Sequence, residues 1–208
     1  MSKIRKLMGF AAALAFAMVM LPASAFADTS QYDLFVNGEQ FTSDNLTIEC
    51  GEGTATYDPA THTLTLANAS ITNAIGSGGI YSGLTGDLTI ALQGNNHITF
   101  DDNMGIMATG NVEITGPGSL EIKVSGETKD GISVVGNVSV RETNLVVNAP
   151  GGIGIASDGN LTISGASVQS TSTADSALWA HGNLIIGDNA HVTLDGKYPT
   201  GCGGNFTV

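Results

Sequence analysis

The chain has 208 residues, with 19 Asp and Glu against 7 Lys and Arg. That length suits one domain. The acidity excludes nucleic acid and anionic membrane surfaces as partners, because both need clustered cations.

Residues 1–27 read as a cleavable export leader. Lys3, Arg5 and Lys6 supply a basic start, and Leu7 to Leu21 is an apolar run too short to span a bilayer comfortably. Pro22 breaks the run, and Ala25-Phe26-Ala27 offers a small-x-small cleavage site. Cleavage removes three of the 7 basic residues and none of the 19 acidic ones, leaving 4 against 19, a net of −15. The four remaining cations are Lys123, Lys129, Arg141 and Lys197. The expectation is a secreted protein with no membrane span in its mature chain.

Residues 28–61 are non-repetitive and read as a small β-hairpin cap. Tyr32-Asp33-Leu34-Phe35-Val36 alternates polar and apolar residues and then meets Asn37-Gly38, a strong hairpin signal. Thr54-Ala55-Thr56-Tyr57 and Thr63-Leu64-Thr65-Leu66 flank Asp58-Pro59-Ala60-Thr61, which reads as a turn. Solenoids need such an atypical terminal unit.

Residues 62–208 are organised by one recurring phrase. It stands as Gly159-Asn160-Leu161-Thr162-Ile163 and returns at Gly86, Gly110, Gly136, Gly182 and Gly204, at spacings of 24, 26, 23, 23 and 22 residues. A fixed period in this range marks stacked repeats. Each repeat opens on a short apolar phrase: Gly79-Ile80, Gly105-Ile106, Gly131-Ile132, Gly152-Ile153 and Ala177-Leu178. Each closes on a third run, from Ile98-Thr99-Phe100 to Val192-Thr193-Leu194. Three short period-2 strands per coil predict an all-β, right-handed parallel β-helix of about five rungs.

Alternation sorts the side chains into columns. Ile80, Ile106, Ile132, Ile153 and Leu178 are expected inward on the first strands. Leu88, Val112, Val138, Leu161, Leu184 and Phe206 are expected inward on the second, followed by Ile90, Ile114, Val140, Ile163, Ile186 and Val208. The Asn column at 111, 137, 160, 183 and 205 is assigned to turns, where Asn tolerates left-handed backbone and stacked amides bond along the axis. Cys50 and Cys202 lie at opposite ends of the stack, too far apart for a bridge, so two free thiols are expected, or an intermolecular bond through Cys202.

The Gly-Ile … Gly-Asn-Leu-Thr-Ile … Ser-Leu pattern, introduced by Tyr57-Asp58-Pro59-Ala60-Thr61-His62-Thr63-Leu64, resembles exported bacterial carbohydrate-binding-domain-containing proteins with a pectin-lyase-like right-handed β-helix. The resemblance implies glycan binding, an acidic polysaccharide included, with calcium in some relatives.

Outward positions are where function is expected. The first outward column on the first strands reads Tyr81, Met107, Ser133, Gly154, Trp179, and the second reads Gly83, Thr109, Val135, Ala156, His181. Small residues between two aromatics suit a polysaccharide lying along the axis, its sugars stacking on the rings. Tyr81, Met107, Ser133, Trp179 and His181 are therefore the candidate carbohydrate contacts. Acids precede the first strands, and Asp101, Asp102, Glu127 and Asp130 are the candidate calcium ligands, since hard carboxylate oxygens suit that ion. His62, His97, His181 and His191 recur at no metal-ligand spacing.

The leading expectation is a non-catalytic protein that binds an extracellular polysaccharide. One alternative is a structural or adhesive surface module without a small ligand. Another is a calcium-dependent polysaccharide lyase. Lyases of the resembled fold pair calcium-binding Asp residues with an Arg or Lys base, whereas Arg141 follows a second strand and Lys129 stands alone in a loop. The repeat at Gly204 to Val208 is expected to present an open ladder edge that pairs end to end with a second copy or with further chain.

Overall fold

The structure is a computed structural model that describes residues 29–74, 76 and 78–208. The expected leader lies outside them. Strand accounts for 62% of the described residues, there is no helix among them, and parallel coils stack into a β-solenoid of about 6 turns. The sequence led to about five, because the partial coils at the two ends are hard to recognise there.

Strands β1 (Gln31–Val36) and β2 (Glu39–Thr42) form the expected antiparallel hairpin. Asn37 and Gly38 both take positive φ, 52° and 84°, as a two-residue hairpin turn of the favoured type requires. Strands β3 (Thr47–Cys50), β4 (Gly53–Asp58) and β5 (Thr63–Ala67) follow as an antiparallel meander. The Asp58 carboxylate accepts from Ala60 N and Thr61 Oγ1, each at 2.9 Å, and closes the β4–β5 turn. The cap continues the solenoid sheets. β1 pairs antiparallel with Gly78–Ser82, and β5 pairs parallel with Leu88–Gln93. Tyr57, edge-on to Tyr32 at 5.3 Å and tilted against Phe41 at 5.6 Å, fills the cap's core.

Each full coil then runs through three strands. First strands are Gly78–Ser82, Met104–Ala108, Ile132–Val134 and Ile155–Ser157. Second strands run from Leu88–Gln93 to Phe206–Thr207, and third strands from Ser70–Ile71 through Asn95–Phe100, Ser119–Val124 and Asn144–Asn148. Parallel pairing keeps register: Leu88, Val112, Val138, Leu161 and Leu184 stack, as do Ile90, Ile114, Val140 and Ile163. These side chains are buried. Ser167–Ala180 runs through a corner as one strand, so the first-strand and third-strand ladders join into a single 12-stranded sheet opposite a 9-stranded one.

Three expectations are corrected. Ile153 is not in the core column. Ile132 pairs with Ile155, which pairs with Leu178. The segment Gly152-Ile153-Gly154-Ile155 holds two Gly-Ile phrases in tandem, and packing selects the second. Gly79, Gly105, Gly131 and Gly154 each face a side chain of the third strand: a Cβ there would collide with Phe100, Ile122, Val147 and Ser170 respectively. The glycine column thus exists so that the third-strand side chains reach the coil centre. Second, the column Asn residues do not use left-handed backbone, since none of them has positive φ. They serve as a ladder: the Oδ1 atoms of Asn111, Asn137, Asn160 and Asn183 accept the backbone N–H of the next column Asn at 2.7, 2.8, 2.8 and 2.9 Å. Third, Phe206 and Val208 are not core; they are 51% and 87% exposed, having a stacked neighbour on one side only.

Asn160→Ala leaves Asn183 N–H without its partner. Water reaches this turn, so the expected loss is about 1 kcal/mol, the net value of one hydrogen bond, read as a lower urea midpoint at unchanged slope.

The two cysteines are free, Cys50 buried and Cys202 partly so. Burial, reinforced by the Glu39 and Glu49 charges, pushes the Cys50 thiol up to about 11.

Candidate functional site

The outer face of the first-strand ladder carries an aromatic-flanked surface feature. With the corrected register its column reads Phe35, Tyr81, Met107, Ser133, Ala156, Trp179, Gly201. Ala156 takes the position expected for Gly154, and Asp158 takes the position expected for Ala156 in the column that ends on His181. Tyr81 and Trp179 are four coils apart, about 19 Å at the usual strand spacing.

The two aromatics differ in setting. Tyr81 is half-buried and tilted against Phe35 of the cap, with ring centres 6.0 Å apart. Trp179 is 37% exposed. Its indole lies over Gly201, where a Cβ would collide with its six-membered ring. Between them Met107 and Ser133 are partly covered and Ala156 is 9% exposed, so the strip is shallow along its middle.

Beside Trp179 the surface deepens into a cleft of about 440 Å³. Trp179 and Tyr198 supply its aromatic walls, with Ile153, Asp175, Ser176 and Thr200 around them. Tyr198 is 54% exposed. It pairs with Ser176, as Thr200 pairs with Leu178, so the cleft lies between the outward column and the turns that enter the first strands. Ile153, displaced from the core by the register, forms part of its wall. One face of Trp179 is pinned by backbone, leaving the ring presented edge and face to the cleft at little entropic cost. A rigid aromatic with its apolar surface in water is suited to stacking on the C–H face of a sugar.

The cleft is acidic. Asp175 Oδ1 accepts from Ser176 N at 2.7 Å and from Ser176 Oγ at 3.2 Å. Asp130 sits behind Ile153, whose N–H donates to its Oδ1 at 2.8 Å. Burial pushes the Asp130 carboxyl above the usual range and the Asp175 charge adds to this, against hydrogen bonds from Ile153 N–H and the Ser133 hydroxyl. Among the described residues the ion pairs are Lys129–Asp102 at 3.5 Å, Lys123–Glu121 at 2.7 Å and His97–Glu121 at 3.2 Å. None reaches Asp130 or Asp175. Lys197 stands at the rim, its ammonium 5.4 Å from the Tyr198 ring centre.

Because folding raises the Asp130 pKa, the folded state holds that proton more tightly than the unfolded one. Its contribution to stability is fully present below the unfolded pKa, about 3.9, and is lost as pH rises through the folded value. Asp130→Asn keeps the acceptor for Ile153 N–H and removes the charge. It is expected to melt higher than the parent at pH 7, with the difference shrinking toward pH 4 in a pH series of thermal melts.

Three of the four candidate calcium ligands take separate partners. Asp101 accepts from Ser125 Oγ at 2.9 Å, Asp102 pairs with Lys129, Glu127 is exposed, and Asp130 is turned to Ile153 N–H. Among the described residues no three His, Cys, Asp or Glu side chains converge as a metal-ligating group. His181 is exposed and lies outside the cleft wall. Arg141 pairs in register with Thr115 and Ser164 on the second-strand sheet, away from these acids.

Tyr198 and Thr200 escaped the sequence reading. In the sixth coil Pro199-Thr200 stands where earlier coils have Gly-Ile, so the phrase that marks a first strand is absent. The available signal was the distance of four residues to the following Gly-Asn phrase, which runs from Thr200 to Gly204 as it does from Ile106 to Gly110, Ile132 to Gly136 and Leu178 to Gly182.

No protein-family model matches the chain, and no curated protein or solved structure matches it. No helix among the described residues is long and apolar enough to cross a membrane.

Proposed function

We propose that the protein is an exported, non-catalytic carbohydrate-binding β-solenoid. It holds an extracellular polysaccharide on the outer face of the first-strand sheet and anchors it in the Trp179–Tyr198 cleft. The observation that carries this reading is the pair of exposed aromatics flanking a cleft of about 440 Å³ with hydroxyl and carboxylate groups between them. Binding sites for small units are concave, largely apolar and furnished with a few polar groups that fix orientation. A cleft of this size takes one or two sugar rings, and the shallow strip toward Tyr81 leaves room for the chain to continue along the axis. The regular ladder beneath is rigid, so little ordering is lost on binding.

Affinity electrophoresis against soluble neutral, amino-sugar and uronic-acid polysaccharides tests the reading. Retardation by at least one class, relieved by Trp179→Ala, is the expected result. Unretarded migration in all three overturns it and favours a surface module without a glycan ligand.

A further inference from the structure

We propose that the Trp179–Tyr198 cleft selects a glycan bearing free amino groups, with a sugar ammonium held against Asp175. This rests on the carbohydrate-binding reading and names the substrate class for the same site. Three features of the cleft converge on a cation. Asp175 is exposed and spends one oxygen on Ser176; among the described residues Oδ2 has no protein partner. Asp130 lies close enough for the Asp175 charge to raise its proton affinity, and among the described residues neither has an ion-pair partner. The aromatic walls attract positive charge through their ring faces, tryptophan most strongly. The Lys197 ammonium lies 5.4 Å from the Tyr198 ring centre on the rim, outside the cleft wall.

A glycan ammonium placed between Trp179 and Asp175 makes a charge-assisted hydrogen bond to Oδ2 while its ring stacks on the indole. It also relieves the repulsion between Asp175 and Asp130. A uronic acid brings a third carboxylate to the same place, where like charge without a counter-cation disfavours binding. The acidic polysaccharide expected from the family resemblance is therefore the poorest fit to this cleft. A neutral sugar stacks on Trp179 and leaves the Asp175 charge unanswered.

The test compares hexamers of glucosamine, of N-acetylglucosamine and of galacturonic acid. Binding is followed by emission of Trp179, the one tryptophan in the chain. The glucosamine hexamer is expected to bind roughly ten-fold more tightly than its acetylated twin, the value of one charge-assisted contact, and the galacturonate hexamer least. Asp175→Asn is expected to bring the first two affinities together. Asp44→Asn, an acid of the cap, is expected to keep the preference. Equal binding of the two glucosamine hexamers by the parent protein overturns the inference and leaves carbohydrate binding standing. A preference that survives Asp175→Asn overturns it as well, since overall negative charge then explains it. Equally tight binding of hexalysine overturns it in favour of a basic peptide as the occupant. No emission change with any saccharide removes both the inference and the reading beneath it.

Discussion

Ile155→Ala is expected to lower the stability of the folded protein by about 2–5 kcal/mol, the usual cost of truncating a fully buried isoleucine. Ile153→Ala, two residues away in an identical local phrase, is expected to cost less than about 1 kcal/mol, as most partly exposed positions do. The difference arises entirely from register. Ile155 is 0% exposed between Ile132 and Leu178, in a column where its neighbours one coil above and below cannot close a void without disturbing the ladder hydrogen bonds. Ile153 sits on the cleft wall with water on one side. Urea unfolding of both variants measures this. A lower midpoint for Ile155→Ala with an unchanged slope is the expected pattern, because the slope follows the surface exposed on unfolding. Equal losses at the two positions would contradict the register, and a larger loss at Ile153 would restore the assignment drawn from the sequence alone.

Trp179→Ala is expected to weaken saccharide binding by about 30-fold or more, the range of an interface residue worth 2 kcal/mol or above. The protein should remain folded, since the indole is 37% exposed and its loss uncovers the backbone of Gly201 without opening the core. Glucosamine hexamer binding followed by calorimetry checks the affinity, because this variant has no tryptophan emission. Gly201→Val separates the presence of the indole from its placement. A valine side chain there displaces the Trp179 ring, so binding should fall toward the Trp179→Ala level even though the tryptophan is retained. Tyr81→Ala provides the contrast. Tyr81 packs on Phe35, so that change should lower stability at the cap and leave binding in the cleft nearly intact. A Gly201→Val protein that binds as the parent does would show that the flat seat under Trp179 is irrelevant to the ligand.

Of the two causes read into the Asn column, the structure keeps one. The column was visible as Asn at fixed spacing, and its structural role was legible. Two mechanisms were legible with it, because Asn serves equally as a left-handed turn residue and as an amide that bonds along a stack. Distances of 2.7–2.9 Å from each Oδ1 to the next backbone N–H decide for the second. The glycine column behaved likewise. Its recurrence was plain, but the reason for it depends on Ile122 and Val147 arriving from the far side of the coil. The candidate ligand face was half legible: Trp179 and its ladder followed from alternation. Tyr198 did not, because its coil lacks the marker phrase.

What the sequence by itself determined is the repeat, the alternation and hence the stacked parallel coils, since these depend on residue type at short range and recur enough times to average out local ambiguity. The tertiary structure alone decided whether four loop acids converge and which aromatic faces water. Each is a contact between residues some 20 or more positions apart in the chain, set by where a side chain one coil away leaves room, and a one-dimensional pattern carries no record of that space.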